Sequence, residues 1–227
     1  MSVRHLLEWR VVLHPERNLD ATTLPTRILT PALSHASASL PLEVAILLPT
    51  GAAADLEPML KCAASTPATT AIGLFTANPF LNISQISRRL RADGVTWLCN
   101  LPSSTQHDDR FLEQLDDVGL GANRECQILE KFRSLGFRTL MAVSRPEEAK
   151  AAVATGATAL FVLPRVGQFE TGFPSARVRE ELVDLVRAAV PDWPGAILGF
   201  AALAEETKRS VWPKTAGGVV LRPQILK

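Results

Sequence analysis

The sequence predicts an α/β chain built on a parallel sheet, and three observations carry that expectation. Short β-branched or leucine-rich runs alternate with amphipathic segments along the chain. The central runs are apolar throughout, as strands buried on both faces are. Eight such runs fit within 227 residues, close to the roughly 250 typical of a closed (β/α)8 TIM barrel with its helices outside. An open doubly wound sheet is the alternative, but it usually carries a G-x-G-x-x-G turn after its first strand, and none occurs here.

Residues 9–13 (WRVVL) give a weak first strand within an irregular N-terminal part, 1–42, that is rich in Pro and Ser. Residues 44–48 (VAILL) give the second strand, and 54–64 a helix with Leu56, Met59, Leu60 and Ala63 at helical spacing. The third strand is 70–75. Its helix, 83–92, sets Ile83, Ile86 and Leu90 against Arg88, Arg89 and Arg91. After the fourth strand, 95–99, a long connection holds helical pieces at 109–115 and 123–135, separated by Gly119-Leu120-Gly121. The fifth strand is 138–143. Pro146 opens the next helix, with Glu147 and Glu148 at the positive end of its dipole and Gly156 at its stop. Strands at 158–163, 196–200 and 218–221, with helices at 178–189 and 203–211, complete a single domain over 1–227.

Composition narrows the function. With 47% apolar and 21% charged residues the chain can bury a core. Its 24 basic and 23 acidic side chains leave a formal charge of +1, which offers no footprint for nucleic acid or an anionic membrane surface. Three cysteines without C-x-x-C spacing argue against a disulfide framework or a zinc site. The longest apolar runs are strand-sized, so neither a membrane span nor a leader is expected, and the expected compartment is the cytoplasm.

Several loop signatures then fall together: Asn78-Pro79-Phe80 after strand three, Asn100-Leu101-Pro102 after strand four, FLEQLDDVGLGANRE over 111–125, and Arg145-Pro146-Glu147-Glu148-Ala149 followed by Thr155-Gly156-Ala157. On these residues the chain, from Thr76 to Gly167, resembles the TIM-barrel phosphoenolpyruvate hydrolase-like family, in the phosphoenolpyruvate- and pyruvate-binding barrel group, as a divergent member. Where that family has Cys-Gly-Thr-Asp after strand three, this chain has Phe75-Thr76-Ala77-Asn78. A histidine after strand six becomes Pro164-Arg165, and His-Gly-Gly after strand seven becomes Gly199-Phe200-Ala201.

In such barrels the site lies at the carboxyl ends of the strands. That rule selects His14, Thr50, Asn78, Asn100, Ser144, Arg165, Gly199 and Arg222, with the 119–125 loop over them. Arg165 and Arg222 follow strands six and eight and suit a carboxylate or phosphate; the other reading has them capping carbonyls or pairing with surface acids. Asn78 and Asn100 either orient a substrate oxygen or start turns. Of Asp116, Asp117 and Glu125, at most one of the adjacent pair can face the mouth, and helix capping around Gly119 and Gly121 accounts for the same residues. His14 and His107 are the remaining bases, His107 in a polar run expected to be solvated, and Cys99 reads as a buried small hydrophobe.

The resemblance together with the rim positions points to Asn100, Glu125 and Asp117 as catalytic residues and to Thr50, Asn78, Arg165, Gly199 and Arg222 as substrate-binding, with no metal ligand assigned and Mg2+ as the one cofactor admitted. Its expected ligand is a small anionic keto or enol acid or a phosphorylated metabolite, with hydrolase or lyase chemistry. The alternative, to which the departures point, is a catalytically inactive barrel serving as ligand sensor or partner subunit. Trp193, Trp212, Phe169 and Phe173 near turns suggest an exposed apolar patch, hence a homo-oligomer or a heteromeric partner.

Overall fold

A computed structural model describes residues 6–14, 24–31 and 56–226. Eight strands close a ring: β1 (Leu6–Leu13), β2 (Arg27–Pro31), β3 (Thr70–Gly73), β4 (Trp97–Cys99), β5 (Arg138–Val143), β6 (Ala159–Val162), β7 (Ala196–Ala201) and β8 (Gly218–Leu221). Helices α1 (Leu56–Ala63), α2 (Ile83–Ala92), α3 (Asp109–Asp117), α4 (Ala122–Ser134), α5 (Pro146–Ala154) and α6 (Ala176–Ala189) accompany them. The architecture is therefore an α/β barrel.

It departs from a regular eightfold parallel pattern at the first strand. Strands β2 to β8 pair in parallel in chain order, whereas β1 runs antiparallel to both β2 and β8. A last strand, β9 (Gln224–Leu226), extends β8 along the same edge of β1. The register slips by one residue between Val11↔Val220 and Glu8↔Gln224, a bulge at Arg222-Pro223 where proline cannot donate to the ladder.

The weak first strand expected at 9–13 is present as β1, and the irregular part expected around it over 1–42 also holds an unexpected strand, β2. Flanked by Pro25 and ending on Pro31, β2 has only Ile28 and Leu29 as an apolar run, too short to register as a strand by pattern. The strand expected at 44–48, and Thr50 with it, lie outside the described residues. In place of a helix over 203–211 the chain makes two 3-10 turns, Leu203–Glu205 and Arg209–Val211. The indole N–H of Trp212 bonds the Glu205 carbonyl at 2.9 Å and holds that connection compact.

Alternation along the strands sorts two apolar layers. Trp9, Ile28, Ala71, Trp97, Leu140, Phe161, Leu198, Phe200 and Val220 fill the barrel interior. Leu29, Ile72, Leu98, Met141, Leu160 and Ile197 face outward onto Met59, Leu90, Phe132, Ala149 and Val183 of the helices. Trp9, Phe161 and Phe200 meet at ring separations of 6.0–6.1 Å, so the axis is packed with side chains. No helix among the described residues is long and apolar enough to cross a membrane.

Candidate functional site

The carboxyl ends of β3 to β8 gather at one rim, and the polar residues there fall into linked groups. Behind β4, Trp97, Cys99 and Leu101 point into the barrel, which turns Asn100 outward to the helix layer. Its Oδ1 accepts from the Ala142 amide at 2.7 Å and its Nδ2 donates to the Ala142 carbonyl at 3.2 Å, continuing the β4–β5 ladder with a side-chain amide. The same Nδ2 donates to Glu125 Oε2 at 2.8 Å. Glu125, on the first turn of α4, also accepts from Ser103 Oγ at 2.7 Å and from the Ser104 amide at 2.6 Å. It is 1% exposed, and burial pushes its pKa above the usual carboxylate range while the bonds from Asn100, Ser104 and Ser103 pull it part of the way back. Glycine is required at Gly73, where a Cβ would stand 2.5 Å from the Leu101 carbonyl of the loop crossing above it.

Behind β5 and β6 a strap of residues 103–109 is tied down. Gln106 Nε2 donates to Ser144 Oγ at 2.9 Å, which donates to the Leu163 carbonyl at 2.7 Å. Glu148 accepts from the Ser144 amide at 2.6 Å and from Arg145 Nε at 3.0 Å. Burial raises its pKa too, against the pull of those bonds. Arg165 donates Nε to the His107 carbonyl at 2.9 Å, with Nη2 on the same oxygen. Arg165 Nη1 and Arg145 Nη1 then converge on one oxygen, Asp109 Oδ1, at 2.8 and 3.0 Å.

Behind β7 and β8 the rim is closed by aromatic rings. Phe173 lies 5.2 Å from Phe200, and Phe169 6.2 Å from it. The Arg179 guanidinium sits 5.0 Å and that of Arg222 5.7 Å from the Phe173 centroid. Arg179, 2% exposed, donates to the Pro174 and Phe200 carbonyls at 3.0 and 2.6 Å and pairs with Glu205 at 2.8 Å.

The structure brings Asn100 and Glu125 together and sets Arg165 and Arg222 at the rim. It corrects other expectations. Gly199 lies within β7 and faces outward, where a Cβ would meet Pro213 at 2.9 Å and Val183 at 3.5 Å. His14 donates its amide to Gly217 at the amino end of β8, the opposite face, because β1 is reversed. Of the two readings of Asn78 the turn is the one seen, its Oδ1 accepting from the Phe80 amide at 2.9 Å. Asp117 is exposed at the end of α3, which closes on Gly119 at φ +70° with Leu120 N bonded to Leu115 O at 2.8 Å. Ser103 to Gln106 are buried rather than solvated, and Phe169 and Trp212 are core residues; the exposed aromatics are Phe80 and Phe111.

Cys99 is fully buried, with its thiol pKa pushed up by burial, and that of Cys126 is pushed up to about 11 by burial and by Glu125 and Glu148. Neither supplies a thiolate at neutral pH. Among the described residues no three His, Cys, Asp or Glu side chains gather to hold a metal ion. Both oxygens of Glu125 are engaged by protein donors and Asp117 is exposed elsewhere, so these two do not fit a magnesium site.

Sequence reasoning missed Arg145, Glu148, Arg179 and Glu205. Glu148, at the third helical position after Arg145, carried a signal, since an acid there commonly reaches back over the helix start. Arg179 and Glu205 are 26 residues apart and carried none.

No family model and no curated protein matches the chain. Among solved structures it is similar to nitroalkane oxidase from Streptomyces ansochromogenes, at 18% identity over 59% of this chain and 42% of that one, with a TM-score of 0.27. The chain thus spans less than half the length of that protein, and a likeness of this extent assigns neither fold nor activity.

Proposed function

We propose that the chain is a divergent (β/α)8-type barrel of phosphoenolpyruvate hydrolase-like character. It binds a small anionic keto or enol acid, or a phosphorylated metabolite, at its carboxyl rim and acts as a ligand sensor or partner subunit. The observation that carries the reading is the set of guanidinium groups following three strand ends: Arg145 after β5, Arg165 after β6 and Arg222 after β8. That is where barrels of this kind place anions, and guanidinium forks match carboxylate and phosphate oxygens. Binding is favoured over turnover because Phe200, Phe173 and Phe169 pack the mouth behind β7.

Hydrolase or lyase chemistry is the second reading. Its specific support is Glu125, whose raised pKa suits a proton donor. The same proposal takes the protein as cytoplasmic and self-associating.

Thermal-shift measurements against phosphate, pyruvate, oxalate and phosphoenolpyruvate, with and without magnesium, test the proposal. At a hundredfold excess over Kd a ligand adds about 2.7 kcal/mol, or roughly 5–10 °C in Tm for a chain of this size. No shift with any of these anions overturns it. Turnover of phosphoenolpyruvate that is lost in Glu125→Gln would move the conclusion to the second reading.

A further inference from the structure

We propose that Arg145 and Arg165 form an oxyanion seat that Asp109 occupies from within the chain, and that a small carboxylate or phosphate binds there by displacing the Asp109 side chain. The inference rests on the anion-binding reading above and names where the anion sits.

Three observations converge on it. First, two guanidiniums from consecutive strand ends share one carboxylate oxygen, Asp109 Oδ1, at 3.0 and 2.8 Å. That leaves the bridge lopsided, with a single acceptor oxygen between two planar forks that each suit two.

Second, each arginine is held on its far side by something other than Asp109. Arg145 is tied through Nε to Glu148, which is 8% exposed, and Arg165 through Nε and Nη2 to the His107 carbonyl. The forks therefore keep their positions when Asp109 leaves, and a seat organised in advance loses little affinity to ordering.

Third, the occupant is the most exposed member of the group. The Asp109 side chain is 69% exposed, against 38% for Arg145 and 20% for Arg165. It can rotate into water at little cost, since a pair this open contributes only about 0–1 kcal/mol. With Glu148 balancing Arg145, its departure leaves the charge of Arg165 for the incoming anion.

Asp109 is thus an internal competitor, and its removal exposes the intrinsic affinity of the seat. If the seat is open about a tenth of the time, apparent affinity is tenfold below intrinsic. The experiment is calorimetric titration, at low ionic strength, of inorganic phosphate and of oxalate as separate probes. They are titrated into the full chain and its Asp109→Asn, Arg145→Gln, Arg165→Gln and Arg222→Gln variants, each checked for an unchanged far-UV spectrum. The expected result is that at least one probe binds about tenfold more tightly to Asp109→Asn and at least tenfold more weakly to Arg145→Gln and Arg165→Gln. Whether oxalate, phosphate or both respond identifies the group recognised. Binding that ignores all three of these changes but is lost in Arg222→Gln overturns the seat and leaves the broader anion-binding reading intact. Binding to none of the proteins overturns both.

Discussion

At the ends of β4, β5 and β6 the barrel mouth is held by hydrogen bonds to two buried carboxylates, Glu125 and Glu148, and by arginines that meet on an exposed one. At the ends of β7 and β8 it is closed by Phe169, Phe173 and Phe200 with Arg179 buried against them. The two halves share a face and differ in what can leave. Removing Asp109 from the first opens a charged seat at little cost, while removing any ring or Arg179 from the second opens the core. One half of the rim is thus charged and partly open to solvent, the other apolar and packed.

The largest effect that would break this contrast falls on the closed half. Arg179→Met takes this donor from the Pro174 and Phe200 carbonyls, at about 1–3 kcal/mol for each acceptor left unpaired, while Glu205, 21% exposed, keeps the Ala202 amide. Urea unfolding should show it, and a loss below about 1 kcal/mol would mean that the aromatic packing alone holds this side. On the open half, Glu125→Ala leaves the Asn100, Ser103 and Ser104 donors without their acceptor, a loss of about 3 kcal/mol read from the same experiment.

A smaller effect is expected in the pH profile. The folded pKa values of Glu125 and Glu148 are raised, so the folded chain binds these protons more tightly than the unfolded one. Their contribution to stability is therefore complete below the ordinary carboxylate value of about 4.3 and is lost as pH rises through the raised values. As pH rises above the ordinary carboxylate value of about 4.3, the wild-type Tm should fall more steeply than that of an E125Q/E148Q variant, and parallel profiles would contradict the raised pKa values. The smallest effect is Asp109→Asn, at most about 1 kcal/mol on stability. A larger loss would place Asp109 with the structural groups of the strap.

How much of this was legible in the sequence follows the same division. Strands buried on both faces, such as Leu160-Phe161-Val162 and Gly218-Val219-Val220-Leu221, announce themselves by composition. The parallel run from β3 to β8 was therefore readable, with the rim positions of Asn100, Arg165 and Arg222. The reversal of β1 was not, because local pattern is blind to strand direction, and that reversal moved His14 to the far face. Gly199 was misplaced because an apolar run does not say which residue of a strand faces out. The dense links around Glu148, Arg179 and Asp109 join residues far apart in the chain or acids that look solvated, and only the folded arrangement brings them together.

The most direct measurement is a crystal structure of the wild-type protein grown with oxalate. The account predicts the anion across the Nη1 atoms of Arg145 and Arg165, with the Asp109 carboxylate turned toward solvent. Asp109 still bridging the two arginines, with oxalate bound at another place on the rim, would contradict it.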